Sequence, residues 1–110
     1  MVDGLSKLEQ YLDTVSARQK LVARNIANAD TPGYKTQDID FKSELNRASG
    51  SSPAIIEPEG LPTKNDGNNV NLDHEARLLA ENDIRFNIAT QLLRGNIHEI
   101  REAITEGRTS

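Results

Sequence analysis

The chain has no cysteine and no tryptophan, and its 110 residues hold only two phenylalanines, two tyrosines and four prolines. Without cysteine neither a disulfide nor a thiolate metal site can form, and the compartment stays open, because such a chain suits oxidising and reducing spaces equally. So short a chain is one domain at most, and with few bulky side chains its independent stability should be modest. No run of 18 apolar residues occurs, and Met1-Val-Asp-Gly-Leu-Ser6 lacks the basic start and unbroken apolar stretch of a secretory leader. Neither a membrane span nor a cleaved signal is therefore expected. A basic surface is missing too: 13 Lys and Arg are scattered among 17 Asp and Glu, for a net charge of -4. A phosphate backbone has no electrostatic footprint to follow, which argues against a nucleic-acid partner.

Helical periodicity is what the chain does have. Leu5, Leu8, Leu12, Val15, Val22 and Ile26 step by threes and fours, with Gln19 the one polar interruption, which predicts an amphipathic helix over about 5–28. Ser6-Lys-Leu-Glu9 fits a capping box, placing the start between Asp3 and Ser6. Thr31-Pro32-Gly33-Tyr34 ends the pattern. Pro32 disfavours helical geometry at Thr31, and Gly33 supplies the positive φ that a type II turn needs at its third position. Asn28 and Asp30 add side chains able to bond freed backbone groups.

A second helix is predicted over about 71–106, starting near Asn71 or Asp73 and stopped by Gly107. Its apolar seam reads Leu72, Ala76, Leu79, Phe86, Leu93, Ile97, Ile100 and Ile104, and a second row of Ile84, Ile88 and Leu92 widens the stripe. One helix cannot cover both rows, so more than one partner is implied. Asp73, Arg77, Glu81 and Arg85 recur at i, i+4 as an exposed charged side. Between the helices, 34–41 reads as loop. From Lys42 to Asn69 the chain is rich in turn signals, with Ser49-Gly-Ser-Ser-Pro53, Pro58, Gly60, Pro62 and Asp66-Gly67, and no apolar period beyond Ile55-Ile56. A long irregular excursion follows, with a short strand or hairpin around 54–64 as an option.

No catalytic, cofactor or metal set emerges. The histidines of His74-Glu75 and His98-Glu99 lie 24 positions apart on one helix and cannot share a metal within one chain, so both pairs read as solvated surface. No nucleophile motif is framed by glycines, and the seven glycines do not cluster into a phosphate cradle.

Asn25, Asn28, Thr31, Gly33 and Tyr34, within the string Asn25-Ile-Ala-Asn-Ala-Asp-Thr-Pro-Gly-Tyr34, resemble the N-terminal signature of the bacterial flagellar rod, hook and hook-associated proteins. The continuation Asp38-Ile-Asp-Phe41, then Asp66-Gly-Asn-Asn-Val70, Leu72-Asp-His-Glu75 and Ala80-Glu-Asn82, resembles a proximal-rod member of that family. The likeness covers about 5–41 and 66–107. Two departures are a shorter middle and Phe86 where a tyrosine is expected.

The resulting expectation is an all-α chain of antiparallel N- and C-terminal helices joined by an irregular middle, a single rod-type unit over 1–110. The resemblance implies a non-enzymatic structural subunit of the proximal rod of the flagellar basal body. It implies self-association in a helical rod, contacts with other rod proteins and with rod-base or export-gate components, and export to the periplasmic rod without a cleaved signal. Asn25, Asn28, Thr31, Pro32, Gly33 and Tyr34 would form the family turn. Leu5, Leu8, Leu12, Val15, Val22, Ile26, Leu79, Phe86, Leu93, Ile97, Ile100 and Ile104 would form the assembly seam. A soluble helical adaptor or secretion chaperone, presenting the same stripe to a client, is the alternative. A metal-dependent hydrolase built on the His-Glu pairs is the third class.

Overall fold

The computed structural model describes residues 2–47 and 53–109; the expectation of a Ser49–Ser52 loop lies outside them. Two long helices dominate, α1 over Val2–Ala27 and α3 over Leu72–Thr109. They run antiparallel, as three cross-helix hydrogen bonds fix: Asn25 to Glu75, Asn82 to Gln19, and Arg85 to the Tyr11 hydroxyl. The molecule is a narrow rod of 71 × 24 × 16 Å. Among the described residues no helix is long and apolar enough to cross a membrane.

Both helix ends differ from the expected bounds. α1 starts at Val2, so Ser6 and Glu9 lie inside the helix and form no capping box. α3 runs through Gly107 to Thr109, and Gly107 is not among the glycines with positive φ, so no left-handed stop forms there. Its start is as expected: Asn71 caps it, the side-chain oxygen accepting from His74 N at 3.1 Å.

The middle is more structured than its turn-rich composition suggests. A two-residue ladder pairs β1 (Asp38–Ile39) with β2 (Ile55–Ile56) antiparallel, Asp38 opposite Ile56 and Ile39 opposite Ile55. A single helical turn, α2 over Phe41–Leu45, sits between them in the chain. The loop expected over 34–41 thus contains a strand and leads straight into a helix. Asp40 caps α2, accepting from Ser43 N and Ser43 Oγ, and these bonds hold its carboxyl below the usual range. The buried Glu44 then ties three elements together. Its carbonyl accepts from Gln10 of α1 at 2.8 Å, its carboxylate accepts from Ala54 N at 2.9 Å, and Arg47 pairs with it.

The core is thin. Val15, Leu21, Val22, Ala29, Ile39, Val70, Leu78 and Ala89 are its buried apolar members, and Thr14, Asn25, Asn68, Glu75 and Asn82 are buried among them. On α3 the line facing α1 is therefore Glu75, Leu78, Asn82 and Ala89. This line differs from the apolar seam read from the sequence. At about 100° per residue, the apolar rows flank it on either side. Leu72, Phe86, Ile97 and Ile104 of one row, and all of Ile84, Ile88 and Leu92 of the other, are exposed.

Candidate functional site

The turn that ends α1 and the turn that precedes α3 close on each other to make one joint. α1 unwinds through short backbone bonds: Asn28 N to Arg24 O, Ala29 N to Ile26 O, Thr31 N to Asn28 O, and Tyr34 N to Thr31 O at 3.2 Å. The last closes Thr31-Pro32-Gly33-Tyr34 as a four-residue turn with Gly33 at φ 77° in its third position, the geometry that only glycine adopts cheaply. The second turn, residues 64–69, is plugged into the first. Gly33 N donates to Asp66 O at 2.9 Å, and the backbones of Gly33 and Gly67 approach each other directly. The Asn68 side chain, completely buried, donates to both Asn28 O and Thr31 O while its oxygen accepts from Val70 N. Asn69 Oδ1 accepts from Thr36 N, and Lys64 Nζ donates to Ala29 O at 2.9 Å.

Asn25 is the hub. It is 1% exposed, and its amide makes four hydrogen bonds: Nδ2 donates to Gln37 O and to Glu75 Oε2, and Oδ1 accepts from Tyr34 Oη and Gln37 N. One side chain thereby joins α1, the chain after the turn, and the first turns of α3. Asn has both the donors and the acceptor such a junction demands; Asp lacks the donors. Asn28 and Thr31 act locally, Thr31 Oγ1 donating to Asn28 Oδ1 and Asn28 Nδ2 donating to Arg24 O. Desolvation pushes the Tyr34 phenol above its ordinary value, so it stays a donor to Asn25. Pro32 is exposed and shapes the turn without contributing a donor.

A second station follows immediately. Asp38 takes a two-pronged ion pair from Arg18, at 2.9 and 3.0 Å. Ile39 is buried and Asp40 caps α2. Phe41 lies edge-on to Tyr11 at 5.4 Å and under two guanidinium groups, Arg18 at 5.7 Å and Arg85 at 5.0 Å. Asp38 and Phe41 thus dock this segment against α1 and α3, while Ile39 is buried and Asp40 starts α2.

The six turn residues named from the sequence lie together here, and the link to the start of α3 runs through the Asn25 side chain to Glu75, Gly33 N to Asp66 O, and the Asn28 and Thr31 carbonyls to Asn68. Of the seam residues, Val15 and Val22 are buried, Leu5, Leu8, Leu12, Leu79, Leu93 and Ile100 half-buried, and Ile26, Phe86, Ile97 and Ile104 exposed. Two readings are corrected. Glu75, taken with His74 as solvated surface, is fully buried because its helical position faces Asn25; His74, His98 and Glu99 are exposed. Arg85, taken as part of an exposed charged side, keeps its ion pair to Glu81 but is half-buried over Phe41. Thr36, Gln37, Asn68 and Asn69 were not singled out for a role, although Asp66-Gly67-Asn68-Asn69 is a plain turn signal. Among the described residues no three His, Asp or Glu side chains converge on a point where a metal could sit.

A family model described as flagella basal body rod protein matches residues 2–35, which contain the first turn entire. The flagellar basal body rod protein FlgB of Escherichia coli K12 is 30% identical, the match covering 90% of this chain and 91% of that protein. The chain belongs to the FlgB family. The FlgB protein of Yersinia ruckeri is 29% identical over 96% of this chain and 97% of its own length, and that of Bacillus subtilis 26% over 94% and 95%. The Yersinia alignment runs to 133 positions against a 110-residue chain, so that relative carries residues this one lacks. FlgB proteins are structural subunits of the flagellar basal body rod and not enzymes.

Proposed function

We propose that this chain builds the proximal part of the rod by self-assembly, the interlocked joint holding α1 and α3 as one stiff unit while the outward rows of α3 take neighbouring subunits. The observation that carries this reading is the exposure of apolar residues on a helix whose inner face is already covered: Ile84 at 60%, Ile88 at 55% and Leu92 at 57%. Apolar surface in such continuous rows marks an interaction face. A groove of about 530 Å³ between Gly4, Leu8, Tyr11, Leu45, Ile88 and Leu92 extends it. Gly4 and Asn96, which share that groove, are among the last neighbours across the helix pair. Ile97 at 40% and Ile104 at 51% continue the exposed apolar surface toward the end of α3.

In this reading the neighbours are further copies of the chain, other rod proteins and rod-base or export-gate components, arranged as a heterologous helical array in the periplasm. The subunit reaches that place by export without a cleaved signal. A map of isolated rods with this chain located in it tests the proposal. Apolar rows of α3 facing solvent in such a map would overturn it, and a fixed small oligomer bound to one client would favour the adaptor instead.

A further inference from the structure

The Glu75 carboxyl is buried in the joint without a cation. It is 0% exposed, its Oε2 accepts one hydrogen bond, from Asn25 Nδ2 at 3.2 Å, and its Oε1 has no partner. No described Lys, Arg or His lies within ion-pair distance of it. The charged groups around it are otherwise engaged, turned to solvent or the wrong sign. Arg18 of α1 gives two bonds to Asp38 of β1, which is itself a carboxylate facing the same space. Arg24 is bonded to Gln37 Oε1, Tyr34 of the first turn is a neutral donor to Asn25, and Lys64 of the second turn donates to Ala29 O. On α3 itself His74 and Arg77 are exposed, and Arg77 donates to the Asp73 carbonyl.

We propose that Glu75 is a proton-operated latch: the joint between the two long helices is tight when this carboxyl is neutral and loosens when it ionises. A carboxylate offers about four acceptor sites, and here one is used. Ionised, it is a largely uncompensated charge out of water; protonated, it keeps the bond from Asn25 and loses the charge, leaving one O–H without an acceptor, a smaller penalty than a buried unpaired charge. Burial accordingly raises the Glu75 carboxyl above its ordinary range, the bond from Asn25 only partly opposing this. The sign of the linkage follows. The folded chain binds this proton more tightly than the unfolded one, so the stabilisation is complete below the ordinary carboxylate value and is lost as pH rises through the higher folded value. Ordinary surface carboxylates give the opposite trend, which makes the effect separable.

The test is urea unfolding of the full chain and of Glu75→Gln between about pH 8 and about pH 4.5, a window that brackets an ordinary and a raised carboxylate. Glutamine keeps the acceptor for Asn25 and cannot ionise. Expected is a Glu75→Gln chain whose unfolding constant is several-fold smaller than the wild type's at the alkaline end, the two converging at the acid end. A ratio independent of pH overturns the latch. Should Glu75→Gln not fold, carbon-13 titration of the Glu75 carboxyl in the unaltered chain decides: a midpoint above the usual range supports the proposal, and one at or below it overturns it.

Discussion

A β-carbon placed on Gly67 would lie 3.3 Å from the Gly33 Cα. The turn after α1 and the turn before α3 therefore meet glycine to glycine, each at positive φ, 77° and 87°. The two positions respond differently to a side chain. At Gly33 a β-carbon meets nothing within 4 Å, so Gly33→Ala carries only the backbone strain, about 1 kcal/mol; at Gly67 the same strain is joined by a close contact with backbone that cannot swing aside. Gly67→Ala should unfold at distinctly lower urea than Gly33→Ala. Equal losses would mean the turns do not touch in solution.

Removing the hub should expose how its bonds share one side chain. Asn25→Ala leaves Gln37 N and O, Tyr34 Oη and Glu75 Oε2 short of partners in a buried place, at about 1–3 kcal/mol for each group that water cannot reach. Tyr34→Phe removes one hydroxyl and costs roughly 1 kcal/mol. Because both changes delete the same bond, the double variant should lose less than the sum. Additive losses in a double-mutant cycle of unfolding free energies would disprove the shared network.

Arg18→Lys keeps the charge and removes the fork. Asp38 is bonded through Nε and Nη2 at once, and the same guanidinium lies over Phe41, a geometry that an ammonium reproduces in neither part. A loss of about 1–2 kcal/mol is expected, with the nearby α2 registering it first. Amide exchange over 41–46 that is unchanged in Arg18→Lys would show that Phe41 docks without it.

The helices were legible because residues such as Leu5, Leu8, Leu12 and Val15 repeat over several turns, and Pro32-Gly33 is turn chemistry with local causes. The face by which α3 meets α1 was not legible, since it is built of Glu75, Leu78, Asn82 and Ala89 and a hydrophobic period points past it to the rows on either side. Asn82 bonds Gln19, the very residue that looked like an interruption of the α1 stripe. The two polar breaks are one contact, visible only when both helices are laid together. α2 escaped because five residues carry no period, although Asp40 and Ser43 at capping distance were a signal for it. The closure of 31–34 on 64–69 depends on contacts more than thirty positions apart, for which a single sequence offers turn residues but no pairing.

Ile88 and Ala89 are adjacent in the chain and about 100° apart around α3, one largely exposed and the other buried, and this separates the fold from the assembly. Ala89 is 2% exposed against α1, at the floor of the groove, and added methylenes in such a packed contact typically cost about 1–3 kcal/mol. Ile88 is 55% exposed on the outward row, so Ile88→Asp should change the stability of the free chain by no more than about 0.5 kcal/mol. In the assembled rod the order reverses. The aspartate would be forced into an apolar contact without a partner, at several kcal/mol per subunit interface, whereas Ala89→Leu would weaken assembly only as far as it weakens the fold. Unfolding of the purified chains and recovery of each in basal-body fractions, beside a motility assay, measure the two quantities. Ile88→Asp is expected to fold, to be exported and to be missing from rods; His98→Ala, on the exposed surface beside Glu102, should be present and motile. An Ile88→Asp chain that enters rods normally would remove the outward row, and the groove it lines, from the interface and leave the row of Phe86, Ile97 and Ile104 as the surface to test next.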